Sequence, residues 1–195
     1  MKIIAILLGL IGVAFGVVQF FALKSQWNIE TYPYEVTKSF NDFEIRTYEA
    51  SLFTSVAMSS DVYKKASRKG FGILAGYIFG NNDKNEKIAM TSPVSMSIEE
   101  DRMTMMFMVP SKLKKEELPK PNESRIVFKE EPAKTVAAIS FGGWANDAKI
   151  ASYKERLIVA LKAEGISYSQ QFYFFGYNAP YEVFNRKNEI IVELE

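Results

Sequence analysis

The 195-residue chain contains no histidine and no cysteine. Without cysteine there is no disulfide, iron–sulfur cluster, thiolate nucleophile or ordinary structural zinc site. The absence leaves the compartment open, because a reduced cytosol and a cysteine-free envelope protein look alike. Without histidine there is no Ser-His triad, no zinc–histidine centre and no side chain that titrates near pH 7 unperturbed. Carboxylate pairs, lysine bases and tyrosines remain for catalysis, and nothing in their spacing indicates an enzyme. The chain also has no excess of charge: 24 basic residues stand against 23 acidic ones, for a net charge of +1. A nucleic-acid binder needs a basic face to release counterions, so this balance argues against one. What is present is apolar residue, 48% of the chain, enough for the core of one ordinary domain.

The longest apolar run is Ile3 to Leu23, broken only by Gln19 and glycines. Twenty-one residues at helical rise span about 30 Å, the thickness of a bilayer's hydrocarbon core. The expectation is an uncleaved single-pass anchor over residues 1–24. The competing reading is a cleaved signal peptide and a secreted product, but "FFALKSQW" offers no small-x-small cleavage site. Lys2 and Lys24 flank the run, so charge only weakly favours a cytoplasmic N-terminus and an exported domain. Gly12 and Gly16 form a G-x-x-x-G pair through which two anchors can associate weakly. Residues 25–33 read as a linker, and the globular domain is expected over 34–195.

Within that domain, "YEVTKSFNDFEIRTYEASLFTSVAM" alternates as strands with a turn at Asn41–Asp42. Phe43, Ile45 and Thr47 face one way, and Glu44, Arg46 and Tyr48 the other. A helix follows in "SSDVYKKASRKGFGILAGYIFG", capped by Ser60 or Asp61 and ended by Gly80. Val62, Ala66, Ile73, Leu74 and Tyr77 approximate its apolar face. Gly70, Gly72 and Gly76 each cost about 1 kcal/mol against alanine inside a helix, so a strand or a ligand is expected to approach this backbone closely. Strands at about 88–98 and 103–109 come next, then the exposed connector "LPKPNES" and the strands "RIVFKEE" and "KTVAAISF". A second helix, "WANDAKIASYKERLIVALKAEG", has Asn146 as its cap and a stripe of Ile150, Tyr153, Leu157, Ile158 and Leu161. "QFYFFGY" and "NEIIVEL" close the domain as strands.

The order strand, strand, helix, strand, strand occurs twice, at an offset of about 83 residues. Phe43–Ala57 aligns with Ile126–Ile139, and Ile88–Pro93 with Gln171–Gly176. The fold class is therefore α+β: duplicated ββαββ units in a pseudo-two-fold sheet or barrel with two helices packed on it, leaving a groove between helix and sheet or at the repeat interface.

Six of the eight methionines fall between Lys87 and Pro110. Met103, Met105 and Phe107 share one strand face; Thr104, Met106 and Met108 share the other. Two apolar faces imply burial on both sides, by core and helix or by core and ligand. Their spacing does not converge thioethers as a copper site requires. Lys64, Arg68 and Phe71 lie on one side of the first helix, with Lys65 and Lys69 nearby, and a cation above an apolar groove can pair with the carboxylate of an amphipathic ligand. "FGGWAND" lacks a Walker lysine and G-x-G-x-x-G spacing, and reads as a structural strand-to-helix turn. Glu99, Glu100 and Asp101 read as a hairpin tip.

"EKIAMTSPVSM", "FMVPS", "LPKPN", "ISFGGWA", "FGYNAPY" and "RKNEIIVEL" occur in an order and spacing that resembles the SOUL haem-binding proteins, from about Tyr34 to Leu194. The resemblance implies a distorted, pseudo-symmetric antiparallel barrel with two long helices. It also implies non-enzymatic binding of haem or other tetrapyrroles beside the first helix, for buffering or transport. Carried over, the family's helix arginine matches Arg68 as a propionate partner, and the apolar position one turn later matches Phe71. Lys64, Ala75, Met106 and Met108 complete the candidate binding set. A lysine found in some members falls on Gly76 here, and Lys64 is a substitute for it. The axial histidine proposed for some relatives has no counterpart, so methionine, tyrosine or lysine are the candidates if iron is ligated at all. The alternative on the same fold is a sensor or sequestering domain for another small hydrophobic ligand.

Overall fold

The computed structural model describes residues 29–195 apart from 60, 61, 100, 101, 180 and 181, and in the N-terminal stretch positions 4, 10–13, 16, 17 and 19. Alternating segments become strands and the two segments of helical period become helices. In chain order these are β1 (Glu30–Thr31), β2 (Tyr34–Ser39), β3 (Glu44–Tyr48), β4 (Ser51–Met58), α1 (Tyr63–Ile78), β5 (Thr91–Ser92), β6 (Val94–Glu99), β7 (Arg102–Met108), β8 (Val127–Glu131), β9 (Lys134–Gly142), α2 (Asp147–Ala163), β10 (Tyr168–Gly176) and β11 (Lys187–Leu194). Nine strands form one sheet in the order β2-β3-β9-β11-β10-β6-β7-β4-β8.

Setting β2 aside, this order is a palindrome. Exchanging β3, β4, β6 and β7 for β8, β9, β10 and β11 reproduces it, with the exchange axis between β10 and β6. The duplicated ββαββ unit is therefore present, and Phe43–Ala57 and Ile126–Ile139 are equivalent as expected. The second expected match is corrected. The partner of β10 across the axis is β6, so Val94–Glu99 and not Ile88–Pro93 takes the equivalent place. The cause is a longer excursion after α1: residues 79–93 make an extra turn pinned by the Asn82–Pro121 bridge, whereas Gly165 at φ +66° leads almost directly into β10. The sheet curls as a half-barrel and does not close, because β2 and β8 remain its edges among the described residues. Its ladders are all antiparallel.

Both faces of the sheet are buried. The face under the helices holds Val56, Met58, Met96, Met103, Met105, Phe107, Ile139, Phe174 and Ile190 against Ala66, Leu74, Tyr77, Leu157 and Leu161. The opposite face holds Tyr32, Tyr48, Phe53, Met106, Met108, Ala138, Tyr173, Phe175 and Ile191. β7 shows why its methionines recur: every second one packs under α1, and the alternate ones fill the other face. Arg46 and Tyr48, on the strand face opposite Phe43 and Ile45, are buried in this second layer.

The strands begin before the expected domain boundary. β1 pairs in parallel with β5, the Tyr32 N–H donates to Ser92 O at 2.8 Å, and the Tyr32 ring lies 4.4 Å from that of Tyr48. The end of the expected linker 25–33 is thus part of the packed domain. Among the described residues no helix is long and apolar enough to cross a membrane. The expected anchor, Ile3–Leu23, falls largely outside the described residues. Its described positions are helical, and Ile4, Leu10, Ile11, Val13 and Val17 expose 50–66% of their surface. Among the described residues, and outside the helix's own backbone, no heavy atom lies within 4 Å of a Cβ built on Gly12 or Gly16.

Candidate functional site

The site is built on the outer face of α1. Side chains four apart on a helix share a ridge. Lys64, Arg68, Gly72 and Gly76 form one such ridge; Phe71, Ala75 and Phe79 form the next. The first ridge changes character halfway along. Lys64 and Arg68 are exposed, with Lys65 and Lys69 exposed beside them, and the four cations together with Val62 line a shallow depression of about 440 Å³. Among the described residues none of the four is in an ion pair. Beyond Arg68 the ridge has no side chain at all. A Cβ on Gly72 would meet no heavy atom within 4 Å, and one on Gly76 would meet only Asn81 Nδ2 at 4.0 Å.

The second ridge supplies an apolar border. Phe71 is half-buried and packs edge-on against Phe107, with ring centroids 5.4 Å apart; Ala75 is buried and Phe79 is 62% exposed. The underside of α1 is held down at Gly70. A Cβ there would lie 2.9 Å from Met58 Sδ and Cε and 3.1 Å from Met105 Cβ, so here the close approach is the sheet's. Of the three glycines expected to admit a neighbour, one admits a strand and two leave open backbone. The result is a shelf with bare backbone at one end, an aromatic border, and cations at the other end. It can take a flat apolar body that carries anionic groups on one edge.

The candidate residues do not all meet. Lys64, Arg68, Phe71 and Ala75 come together on α1. Met106 and Met108 do not join them: they lie on the far face of β7, packed with Tyr48, Phe53 and Tyr173. The residues of β7 that face α1 are Met103, Met105 and Phe107. Alternation separates the two faces of a strand without saying which one meets the helix. Phe79 was not singled out by sequence; its exposure past the last helical residue was the feature that marks it. The expected caps of α1, Ser60 and Asp61, sit at positions where 60 and 61 lie outside the described residues. The observed N-cap is Val62, without a side-chain bond, and the Tyr63 N–H donates to Asp147 Oδ1 of α2 at 2.6 Å.

A charged cluster in the second layer went unread. Arg46 donates two bonds of 3.0 Å to the carboxylate of Glu189, which also accepts from Ser140 Oγ at 2.9 Å and Tyr177 OH at 2.5 Å. Burial raises the Glu189 pKa, but the bonds from Arg46, with Lys187 and Tyr177, outweigh it and hold the carboxyl below its ordinary range. Burial, and then the negative charge of Glu189, push Tyr177 up. The stability this pair contributes is full above the unfolded carboxylate pKa and is lost as pH falls through the lowered folded value. With every carboxylate oxygen engaged, the cluster fixes β3 to β11 and offers no open valence to a ligand.

Tetrapyrrole chemistry can be tested against these side chains. No histidine or cysteine exists to ligate iron. Met103, Met105, Met106 and Met108 are all buried in one packed layer or the other, so none of them stands on the shelf. What fits is a macrocycle held by contact and by charge at its edge.

The family model of the SOUL heme-binding protein matches residues 29–193. Heme-binding protein 2 of Mus musculus is 30% identical over 166 residues, covering 81% of this chain and 80% of the relative. Heme-binding protein 2 of Homo sapiens is 31% identical over 156 residues, covering 76% of each. Among solved structures, the EcmrR C-terminal domain superposes with a TM-score of 0.62 at 11% identity, covering 83% of this chain and 98% of that one, a likeness of fold alone. The matched span takes in β1 and both copies of the duplicated unit, α1 with its shelf among them, and the chain belongs to the SOUL heme-binding protein family.

Proposed function

We propose that this protein binds haem or a related tetrapyrrole on the outer face of α1, without catalysing a reaction, to buffer or carry it. Family membership supports the ligand class. The observation that carries the location is the ridge of Lys64, Arg68, Gly72 and Gly76. The macrocycle lies on the open backbone of Gly72 and Gly76 and against Phe71, Ala75 and Phe79, where apolar area leaves water. Its propionates reach Arg68 and Lys64, the former able to form a paired bond to a carboxylate. Haem brings an iron centre that these residues have no histidine to ligate; a shelf lysine is the ligand left beside it, and without ligation retention depends on the ring and its carboxylates. We also propose that residues 3–23 anchor the chain in a membrane as a single pass with the domain exported. The exposed apolar side chains of that stretch support this.

An ultraviolet–visible titration with haem and with metal-free protoporphyrin tests the reading. Both are expected to bind with comparable micromolar affinity. Arg68→Ala is expected to weaken both roughly tenfold while leaving a porphyrin without propionates unchanged. No Soret shift at micromolar haem contradicts the reading. A different hydrophobic ligand on the same shelf is the second reading, favoured by the missing axial histidine. A non-tetrapyrrole mass in native mass spectrometry of protein from its host supports it.

A further inference from the structure

The N-terminal ends of the two helices meet at one end of the molecule, where the Tyr63 N–H donates to Asp147 Oδ1. The turn before α2 and the segment before β11 gather there too. The Arg186 guanidinium stacks 3.9 Å from the centroid of the Trp144 ring and donates to Ala179 O and Glu182 O at 2.9 and 2.6 Å. Large apolar side chains at this end stay exposed: Trp144 and Phe184 at 54%, Val62 at 46% and Val183 at 43%. Lys64, Lys65, Arg68 and Lys69 follow from two residues beyond Val62 and share its depression. α1 has no acidic residue, although the chain as a whole is balanced. The Val183 N–H donates to Gln19 Oε1 at 3.2 Å, and Gln19 is buried. That bond sets the domain-proximal part of the apolar N-terminal stretch against this same end.

Exposed tryptophan, phenylalanine and valine bordered by lysine and arginine match the interfacial zone of a bilayer, where aromatic rings sit at headgroup depth and cations meet lipid phosphate. We infer that this end of the domain is a membrane-contacting surface that seats on an anionic bilayer, with Trp144, Val183 and Phe184 at the headgroups and Lys65 and Lys69 of α1 over lipid phosphate. Anchoring by residues 3–23, proposed above, supplies the proximity on which this inference rests. Seated this way, the cationic end of the α1 shelf faces the headgroups, and Gly72 and Gly76 lie about 15–21 Å farther along the helix.

The test uses the full chain carrying Trp27→Phe, which leaves Trp144 as the reporter. The protein is reconstituted in vesicles of phosphatidylcholine and phosphatidylglycerol with brominated acyl chains, and insertion is read separately by flotation after carbonate washing. Trp144 emission is expected to be quenched by brominated and not by ordinary lipid. The quenching is expected to decline at high salt and in Lys65→Glu combined with Lys69→Glu. A chain that floats but shows no quenching overturns the surface and leaves the anchor standing. Quenching without carbonate-resistant flotation supports the surface and refutes the anchor. Equal quenching in pure phosphatidylcholine refutes the role of the cations, and neither flotation nor quenching refutes both.

Discussion

α1 and α2 hold equivalent places in two copies of one unit, yet they are built differently. α2 follows the rules of a stable helix. Asn146 caps it by accepting from the Lys149 N–H at 2.9 Å, Asp147 stands in its first turn and Lys162 in its last, and it contains no glycine. Two of its charges are engaged across the fold: Arg156 pairs with Asp42 at 3.3 Å, and Lys154 lies 4.5 Å from the ring centroid of Phe172. α1 departs from the same rules at each point. It has no side-chain cap, no acid in its first turn, cations where the helix dipole disfavours them, and three glycines. Both inner stripes satisfy the duplicated sheet, Leu74 and Tyr77 in one copy and Leu157 and Leu161 in the other. The fold constrains those stripes and leaves the outer faces free to diverge. In one copy the outer face serves stability. In the other, the outer face is open and cationic, at a cost in local helix stability.

The contrast can be broken at four points. Leu157→Ala empties a fully buried position in α2 and is expected to cost about 2–5 kcal/mol in urea unfolding, while the folded fraction keeps its haem affinity. A parallel loss of affinity would make α2 part of the site. Gly70→Val forces branched carbon onto Met58 and Met105 and is expected to destabilise by about 1–3 kcal/mol in the same assay. Asn146→Ala removes the cap of α2 at about 1 kcal/mol, seen as a lower Tm with binding unchanged. Gly72→Ala moves the other way. It is expected to stabilise by up to about 1 kcal/mol, because the added carbon meets open space and helix propensity improves. A raised Tm here beside a lowered one at Gly70 separates the glycine that packs from the glycine that presents.

Much of this was legible in the chain. Period-two alternation gave the strands, and the repeated element order gave the duplication. Apolar residues on both faces of β7 gave the two-sided burial of its methionines. The i, i+4 spacing of Lys64 and Arg68 put both on one exposed ridge. Long-range pairing was not legible. Arg46 and Glu189 are 143 residues apart, and neither strand signals on its own that its charge is buried against the other. The place of Met106 and Met108 depended on which face of β7 meets α1, which alternation leaves undetermined. Telling Gly70 from Gly72 required the rotation of α1 about its axis. The misalignment at Ile88–Pro93 came from a connecting excursion that lengthens one copy without a change in helical or strand period.

The proposed ligand seat is the open backbone at Gly72, one turn from Arg68. The direct measurement is a haem titration of Gly72→Leu against the unmodified protein, followed in the Soret band, with Tm recorded for both. A native-like or higher Tm and a loss of affinity of about tenfold or more are expected, as a side chain occupies the shelf. Unchanged affinity in a folded variant would contradict it and move the ligand off α1.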